Sequence, residues 1–187
     1  NPTEIKTWTG SGTSTVCSNY NYICTTTMAY DTLGNLSSTT DAYGSSTTYS
    51  YTDNFYTDNG YNPPATYTPS VATNAYVTQV TVPILGNSYS GYYFNTGNGA
   101  LATDTNGKTA YQHYQDSLNR FTSASLPNGG SNTNTYPDLN TVTSSTTIAG
   151  STTLQTSTDF DVWERPSKKT LVDPDGNTSV EPTYDST

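Results

Sequence analysis

The residues of this chain that could do chemistry are few and widely spaced. His113 is the single histidine, and a catalytic histidine needs a nucleophile and an orienting acid that converge on it. The nearest acid, Asp116, belongs to a recurring turn pattern, so we expect a structural role for His113. Asp173 and Asp175 open a run similar to a calcium loop, but Tyr184 stands where a bidentate glutamate is required. The sequence therefore predicts no enzyme, no catalytic residue, no metal site and no cofactor.

The two cysteines, Cys17 and Cys24, are separated by six residues that include two asparagines. Such a segment can form a hairpin loop that brings two sulfur atoms within bonding distance, and no additional Cys or His stands nearby to complete a zinc site. We therefore predict a Cys17–Cys24 disulfide, the alternative being two reduced, buried thiols. Because disulfides persist in oxidising compartments, the pair favours an exported protein.

Composition indicates what kind of fold must position these residues. Of 187 residues, 39 are Thr, 22 Ser and 18 Asn, and only 11% are charged. Thr and the 17 Tyr suit pleated sheets, helix formers are sparse, and Gly, Pro, Asn and Asp recur throughout. An aromatic fraction of 12% argues against disorder. We expect an all-β chain in which tyrosine packing replaces a thick aliphatic core.

Charge and hydropathy narrow the set of partners. Six Lys and Arg against fifteen Asp and Glu give a formal net charge of −9, which repels nucleic acid over most of the surface. No apolar run approaches the roughly 18 residues that span a bilayer. We expect no nucleic acid partner and no membrane span. The weakly charged surface and the predicted disulfide together indicate an extracellular or cell-surface location.

A repeat of about 22 residues runs through the chain. Turn-like tetrads that end in glycine are followed nine residues later by an aspartate, and an aspartate precedes the next glycine by thirteen. Each unit predicts two turns and two short strands, because Asp bonds its own backbone in turns and Gly accepts a positive φ. Asn119 and Glu164 occupy the glycine position in two copies. The predicted turn residues are Asp31, Gly34, Asp41, Gly44, Asp104, Gly107, Asp116, Gly129, Asp173 and Gly176.

Residues 30–51, with the sequence YDTLGNLSSTTDAYGSSTTYSY, are the best copy of the repeat. Their Tyr-Asp-x-x-Gly-Asn-Leu start and the second Asp-x-x-Gly turn resemble the YD repeat of the rearrangement-hotspot (Rhs) family. The resemblance covers most of residues 31–187. It implies an array of short antiparallel β-hairpins joined into a continuous twisted strip or solenoid-like filament. In complete members of that family, the strip encloses a toxin or other cargo in a shell, or forms part of an adhesive ectodomain.

Two regions are predicted within the chain. Residues 1–30 form an N-terminal hairpin or junction segment that carries the cysteine loop, and residues 31–187 hold the YD-type repeats. Repeat markers are weak in residues 54–93, where several prolines cannot sit in a central strand. We expect this stretch to be a decorated loop followed by a degenerate unit.

The preferred functional hypothesis is a structural extracellular repeat protein that builds a surface filament, matrix or shell wall. Its partners would be copies of itself, joined head to tail, or flanking repeats of the same chain. Two alternatives stay open: a carbohydrate- or cell-surface-binding adhesion module that uses Tyr56, Tyr61 and Tyr67, and a fragment of an Rhs toxin-encapsulating shell. Asn35 and Asn177 start N-glycosylation sequons and are candidate glycan sites.

Overall fold

The computed structural model describes residues 3–8, 22–147, 153–173 and 175–185, with only the backbone described for residues 6–8 and 22–25. Within these ranges the chain forms sixteen β-strands and no helix, which confirms the predicted all-β array of antiparallel hairpins. The strands are β1 Glu4–Trp8, β2 Tyr22–Tyr30, β3 Leu36–Asp41, β4 Ser46–Ser50, β5 Phe55–Thr57, β6 Ala65–Tyr67, β7 Gln79–Val82, β8 Gly86–Tyr93, β9 Gly99–Thr103, β10 Thr109–His113, β11 Ser123–Ser125, β12 Ser131–Thr135, β13 Thr141–Thr147, β14 Thr153–Phe160, β15 Pro166–Val172 and β16 Thr178–Val180.

The strands form one antiparallel sheet that follows chain order almost throughout. β1 to β4 are neighbours in sequence, β4 then pairs with β7, and β7 to β16 continue in chain order. β5 and β6 lie off this path, where they pair with each other and β5 also pairs with β8. The weakly marked stretch thus contains both an excursion and a hairpin, β7–β8, that belongs to the main sheet.

The chain groups into two compact units. The first contains Asn1–Phe55, Thr66–Tyr92 and Ala102–Lys108, and the second contains Tyr56–Ala65, Tyr93–Leu101 and Thr109–Thr187. In the part of the chain that the structure describes, no helix is long and apolar enough to cross a membrane.

Few side chains are buried, and tyrosines provide much of the apolar contact. In the first unit, Tyr76 packs edge-to-face on Phe55 with ring centroids 6.0 Å apart and stacks on Tyr92 at 4.5 Å. Buried side chains include Phe55 and Thr78 in the first unit and Tyr93, Ala100 and His113 in the second. Because so few side chains are buried, the stability of the fold depends on the hydrogen bonds between strands, the turns and polar side-chain contacts.

Three phenols also tie segments of the backbone together by donating a hydrogen bond to a backbone carbonyl fifteen residues earlier in the chain. The pairs are Tyr51 to Leu36 at 3.1 Å, Tyr92 to Val77 at 3.0 Å and Tyr136 to Phe121 at 2.7 Å. Because the separation is the same in all three pairs, these tyrosines make equivalent contacts in different copies of the repeat.

Candidate functional site: the repeat turns and the His113 cluster

The turn between β2 and β3 shows how one aspartate closes a hairpin. Asp31 Oδ1 accepts hydrogen bonds from the backbone N–H of Leu33 at 2.9 Å and of Asn35 at 2.8 Å. Gly34 N donates to Asp31 O at 3.1 Å, and Asp31 N donates to Asn35 O at 2.9 Å. Gly34 has a φ of 88°, in the left-handed region that glycine enters without steric cost. The aspartate therefore binds the turn with both its backbone and its side chain.

Three further turns among the described residues repeat this bonding pattern, and they begin at Asp41, Asp104 and Asp161. The glycine position has a positive φ at each of the other predicted turn glycines: Gly44, Gly107, Gly129 and Gly176. Gly176 N donates to Asp173 O at 3.1 Å, whereas Gly129 N donates to Leu126 O at 3.0 Å. Leucine thus replaces aspartate as the first residue of one turn.

Two turns place a residue other than glycine at this position, as the register of the repeat predicts. Asn119 has a φ of 55° and Glu164 a φ of 59°. Asn tolerates the left-handed region better than other non-glycine residues, whereas Glu has no such advantage. In both turns the next residue is an arginine, Arg120 or Arg165.

Both arginines bind the aspartate that begins their own turn. Arg120 Nε and Nη2 donate to the two carboxylate oxygens of Asp116 at 2.8 and 3.0 Å, and Arg165 Nε donates to Asp161 Oδ2 at 2.9 Å. Each guanidinium also lies over a tyrosine ring, 3.7 Å from the centroid for Tyr136 and 4.4 Å for Tyr184. The strained turns thus have an ion pair and a cation–π contact that the glycine turns at Asp31, Asp41 and Asp104 lack among the described residues.

Hydrogen bonding lowers the pKa of three turn aspartates, Asp104, Asp116 and Asp161. The Arg120 side chain, more than any other group, lowers the pKa of Asp116 to about 2. The backbone N–H of Lys108 is the main cause that lowers the pKa of Asp104, and that of Arg165 does the same for Asp161. A carboxylate that accepts several N–H groups is stabilised in its charged form.

The structure describes only some of the residues that the sequence predicts as disulfide or glycosylation sites. Cys17 and the side chain of Cys24 lie outside the described residues, so the disulfide stays a prediction. Asn35 Nδ2 donates to Asp31 Oδ2 at 3.2 Å and to Asn74 O at 3.4 Å, which ties this amide to the protein. Asn177 is exposed, and its Oδ1 accepts a hydrogen bond from Asp173 N at 3.1 Å.

A second arrangement surrounds His113, which is only 3% exposed. Its Nδ1 lies 2.8 Å from Asp58 Oδ1, and its Nε2 lies 2.9 Å from Asn62 Oδ1. Asn62 Nδ2 donates in turn to Ser125 Oγ at 2.8 Å. Both ring nitrogens face oxygen atoms, so the imidazole holds the excursion that carries Asp58 and Asn62.

The converging acid is therefore Asp58 and not Asp116. Asp58 also accepts the backbone N–H of Tyr114 at 2.7 Å and of Gly60 at 3.2 Å. Burial alone would raise the pKa of Asp58, but the hydrogen bonds from Tyr114, His113 and Gly60 outweigh it and hold the pKa below its usual value. The carboxylate is charged and fixed in position.

Tyr93 completes this cluster on the same side of the ring as Asp58. Its hydroxyl donates to Gln112 O at 2.7 Å and lies 3.2 Å from His113 Nδ1. Burial, and after it the charge of Asp58, raises the pKa of Tyr93. The phenol therefore stays neutral and acts as a hydrogen-bond donor.

A cavity of about 200 Å³ opens beside this cluster in the second unit. Its walls combine tyrosines with uncharged polar side chains and one carboxylate: Tyr56, Thr57, Asp58, Tyr93, Asn95, Thr96, Tyr114, Gln115 and Asn119. Tyr61 and Tyr67, which the adhesion hypothesis groups with Tyr56, are 74% and 40% exposed and do not line it.

The described residues contain no group of three or more His, Cys, Asp or Glu side chains that could hold a metal ion. No family model matches the chain, and no curated protein matches it.

Proposed function

We propose that the chain is a segment of an extracellular structural repeat protein of YD, or Rhs, type, whose hairpins build the wall of a surface filament, matrix or shell. The observation that carries this proposal is the succession of antiparallel strands in chain order, closed again and again by the same aspartate turn. Units that contact mainly their neighbours can be added without redesign of a central core. Such an array suits a wall or fibre of variable length.

The last described strand offers a surface on which the wall can continue. Among the described strands, β16 pairs with β15 alone, and its three residues are all exposed. An edge strand presents backbone N–H and C=O groups to one side and accepts another strand readily. The proposed partner is an antiparallel hairpin of the same kind, from a second copy of the chain or from flanking repeats.

Carbohydrate attached to the wall is part of the same proposal. Asn177 is better placed than Asn35, because the Asn35 amide nitrogen already donates to Asp31 and Asn74. Peptide mapping of native material should find the glycan on Asn177 and leave Asn35 bare, and the reverse occupancy would contradict this assignment.

Assembly of the purified chain tests the structural role. Sedimentation velocity over a range of concentrations and negative-stain microscopy should show growth into filaments or closed shells. A β16 variant with Thr178→Lys and Val180→Glu should remain unassembled, because it gains two charged side chains at the edge.

Thr133→Lys is the matched control, since Thr133 is an exposed residue of β12, which is paired on both sides. This variant should assemble like the wild type. A wild-type chain that stays monomeric at every concentration, or an edge variant that assembles normally, would contradict strand addition at β16.

A further inference from the structure

Several walls of the cavity beside the His113 cluster are held in place by contacts within the protein. The Tyr114 ring meets Tyr93 and Phe121 edge-to-face, with centroids 6.1 and 6.0 Å away, and its hydroxyl donates to Gln112 Oε1 at 3.0 Å. Gln115 Nε2 donates to Asp58 O at 3.1 Å. Preorganised walls lower the entropic cost of binding.

Two of the side chains that line the cavity have hydrogen-bonding groups that are available to a ligand. The side-chain amides of Asn95 and Asn119 are exposed and make no hydrogen bond to another described residue. Each amide supplies one acceptor oxygen and two donor hydrogens. Asn119 is held in the left-handed turn that begins at Asp116, which fixes the direction in which its side chain leaves the backbone.

From this lining we infer that the cavity binds one ring of a neutral saccharide. Tyrosine carbons can cover the apolar side of a sugar ring, while the amides and the Asp58 carboxylate exchange hydrogen bonds with its hydroxyl groups. The fixed negative charge of Asp58 and the net charge of −9 disfavour anionic ligands. A volume of about 200 Å³ is below the roughly 300–1,000 Å³ of pockets for drug-sized ligands, so it fits a single ring.

This binding role is separate from wall building, because none of the cavity residues belongs to the β16 edge. A filament could therefore form whether or not the cavity is occupied, and a sugar could bind to the unassembled edge variant. The two proposals can fail independently.

Saturation-transfer difference NMR on the intact chain tests the inference. The probes are glucose, galactose, mannose and N-acetylglucosamine, with glucuronate as an anionic comparator and choline as a cationic one. At least one neutral sugar should receive saturation and glucuronate should bind more weakly. Absence of signal from all four neutral sugars at tens of millimolar, or a signal from choline alone, would overturn the proposal.

A double variant, Asn95→Ala with Asn119→Gly, links the signal to the cavity. Glycine suits the backbone at position 119, so this change removes an amide without straining the turn. Affinity for the bound sugar should fall about tenfold or more, as expected for two lost hydrogen bonds, while the melting temperature stays equal or rises.

Two matched changes should leave the affinity unaltered. Tyr61→Ala removes an exposed tyrosine that lies off the cavity, and Asn106→Ala removes an amide from the Asp104 turn in the first unit. Unchanged affinity in the double variant would refute the cavity as the binding site. A loss of affinity in Tyr61→Ala would assign sugar binding to the exposed loop instead.

Discussion

The repeat turns and the His113 cluster hold the backbone in opposite ways. In the turn at Asp31, the groups that the aspartate binds belong to Leu33, Gly34 and Asn35, which lie within four residues of it and are exposed or half-buried. In the cluster, His113 is buried and binds Asp58 and Asn62, which lie 55 and 51 residues away in sequence. The turns are local and repeated, whereas the cluster is long-range and single. The array should therefore tolerate the loss of one turn better than the loss of this histidine.

The largest effect is expected from His113→Ala. The change leaves the Asp58 carboxylate and the Asn62 amide without their buried partner and opens a cavity, which costs about 3 kcal/mol in the free energy of unfolding. Urea unfolding followed by fluorescence measures it. Thr133→Ala, at an exposed position of β12, should change this free energy by less than about 0.5 kcal/mol. A loss below about 1 kcal/mol for His113→Ala would remove the contrast between the two regions.

Gly107→Ala is expected to have the next largest effect. Gly107 has a φ of 75°, and a Cβ added there would meet nothing within 4 Å, so the cost is conformational strain and not a clash. We expect a loss of about 1–2 kcal/mol. Gly99→Ala is the matched control, because Gly99 is a strand residue without a positive φ. A Cβ added there would lie 3.8 Å from Gln112 Oε1, which is ordinary van der Waals contact. Equal losses in the two variants would mean that the turn conformation is not the cause.

The same contrast explains how much of the molecule the sequence predicts. Aspartate and glycine act within a few residues, so their spacing is enough to locate the turns, and the register even identifies Asn119 and Glu164 as residues with positive φ. The all-β class follows from the abundance of Thr and Tyr. The order of strands follows from the short connections that repeated turns impose.

The His113 cluster could not be found in this way. Asp58 stands in Asp58-Asn59-Gly60, which is indistinguishable from ordinary turn chemistry, and nothing in its spacing refers to His113. Asp53 is equally misleading, because it matches the repeat spacing yet binds the distant Thr73 N and Oγ1, each at 2.7 Å. Contacts between residues far apart in sequence depend on how the excursion folds, and no local pattern encodes that.

Glu164→Gly sharpens the comparison among the turns and should stabilise the protein. Glu164 bears the strain of a φ of 59°, and glycine removes it, so we expect a gain of about 1 kcal/mol. Asn119→Gly should gain less, a few tenths of a kcal/mol, since Asn tolerates this conformation. Thermal and urea unfolding of the two single variants provide the ranking. A destabilised Glu164→Gly would show that the side chain, and not the backbone, is what this turn needs.

The smallest expected effect concerns the arginine contact and depends on pH. The folded-state pKa of Asp116 is lowered from 3.8 to about 2, so its ion pair with Arg120 stabilises the fold above about pH 4 and is lost as pH falls toward 2. Asp116→Asn retains an acceptor for Leu118 N but loses the charge. Its melting temperature should lie about 2 °C below that of the wild type at pH 7, and the two should converge near pH 2.

Asp138→Asn separates the arginine contribution from the general effect of removing a turn carboxylate. Asp138 Oδ1 accepts Asn140 N at 2.8 Å, and no arginine binds it among the described residues. Its melting temperature should follow the wild type at all pH values more closely than Asp116→Asn does. A difference of the same size and pH dependence in both variants would mean that Arg120 adds nothing specific. In that case the arginines at positions 120 and 165 would not offset the strain of the residues that precede them, and the glycine and arginine turns would be equivalent.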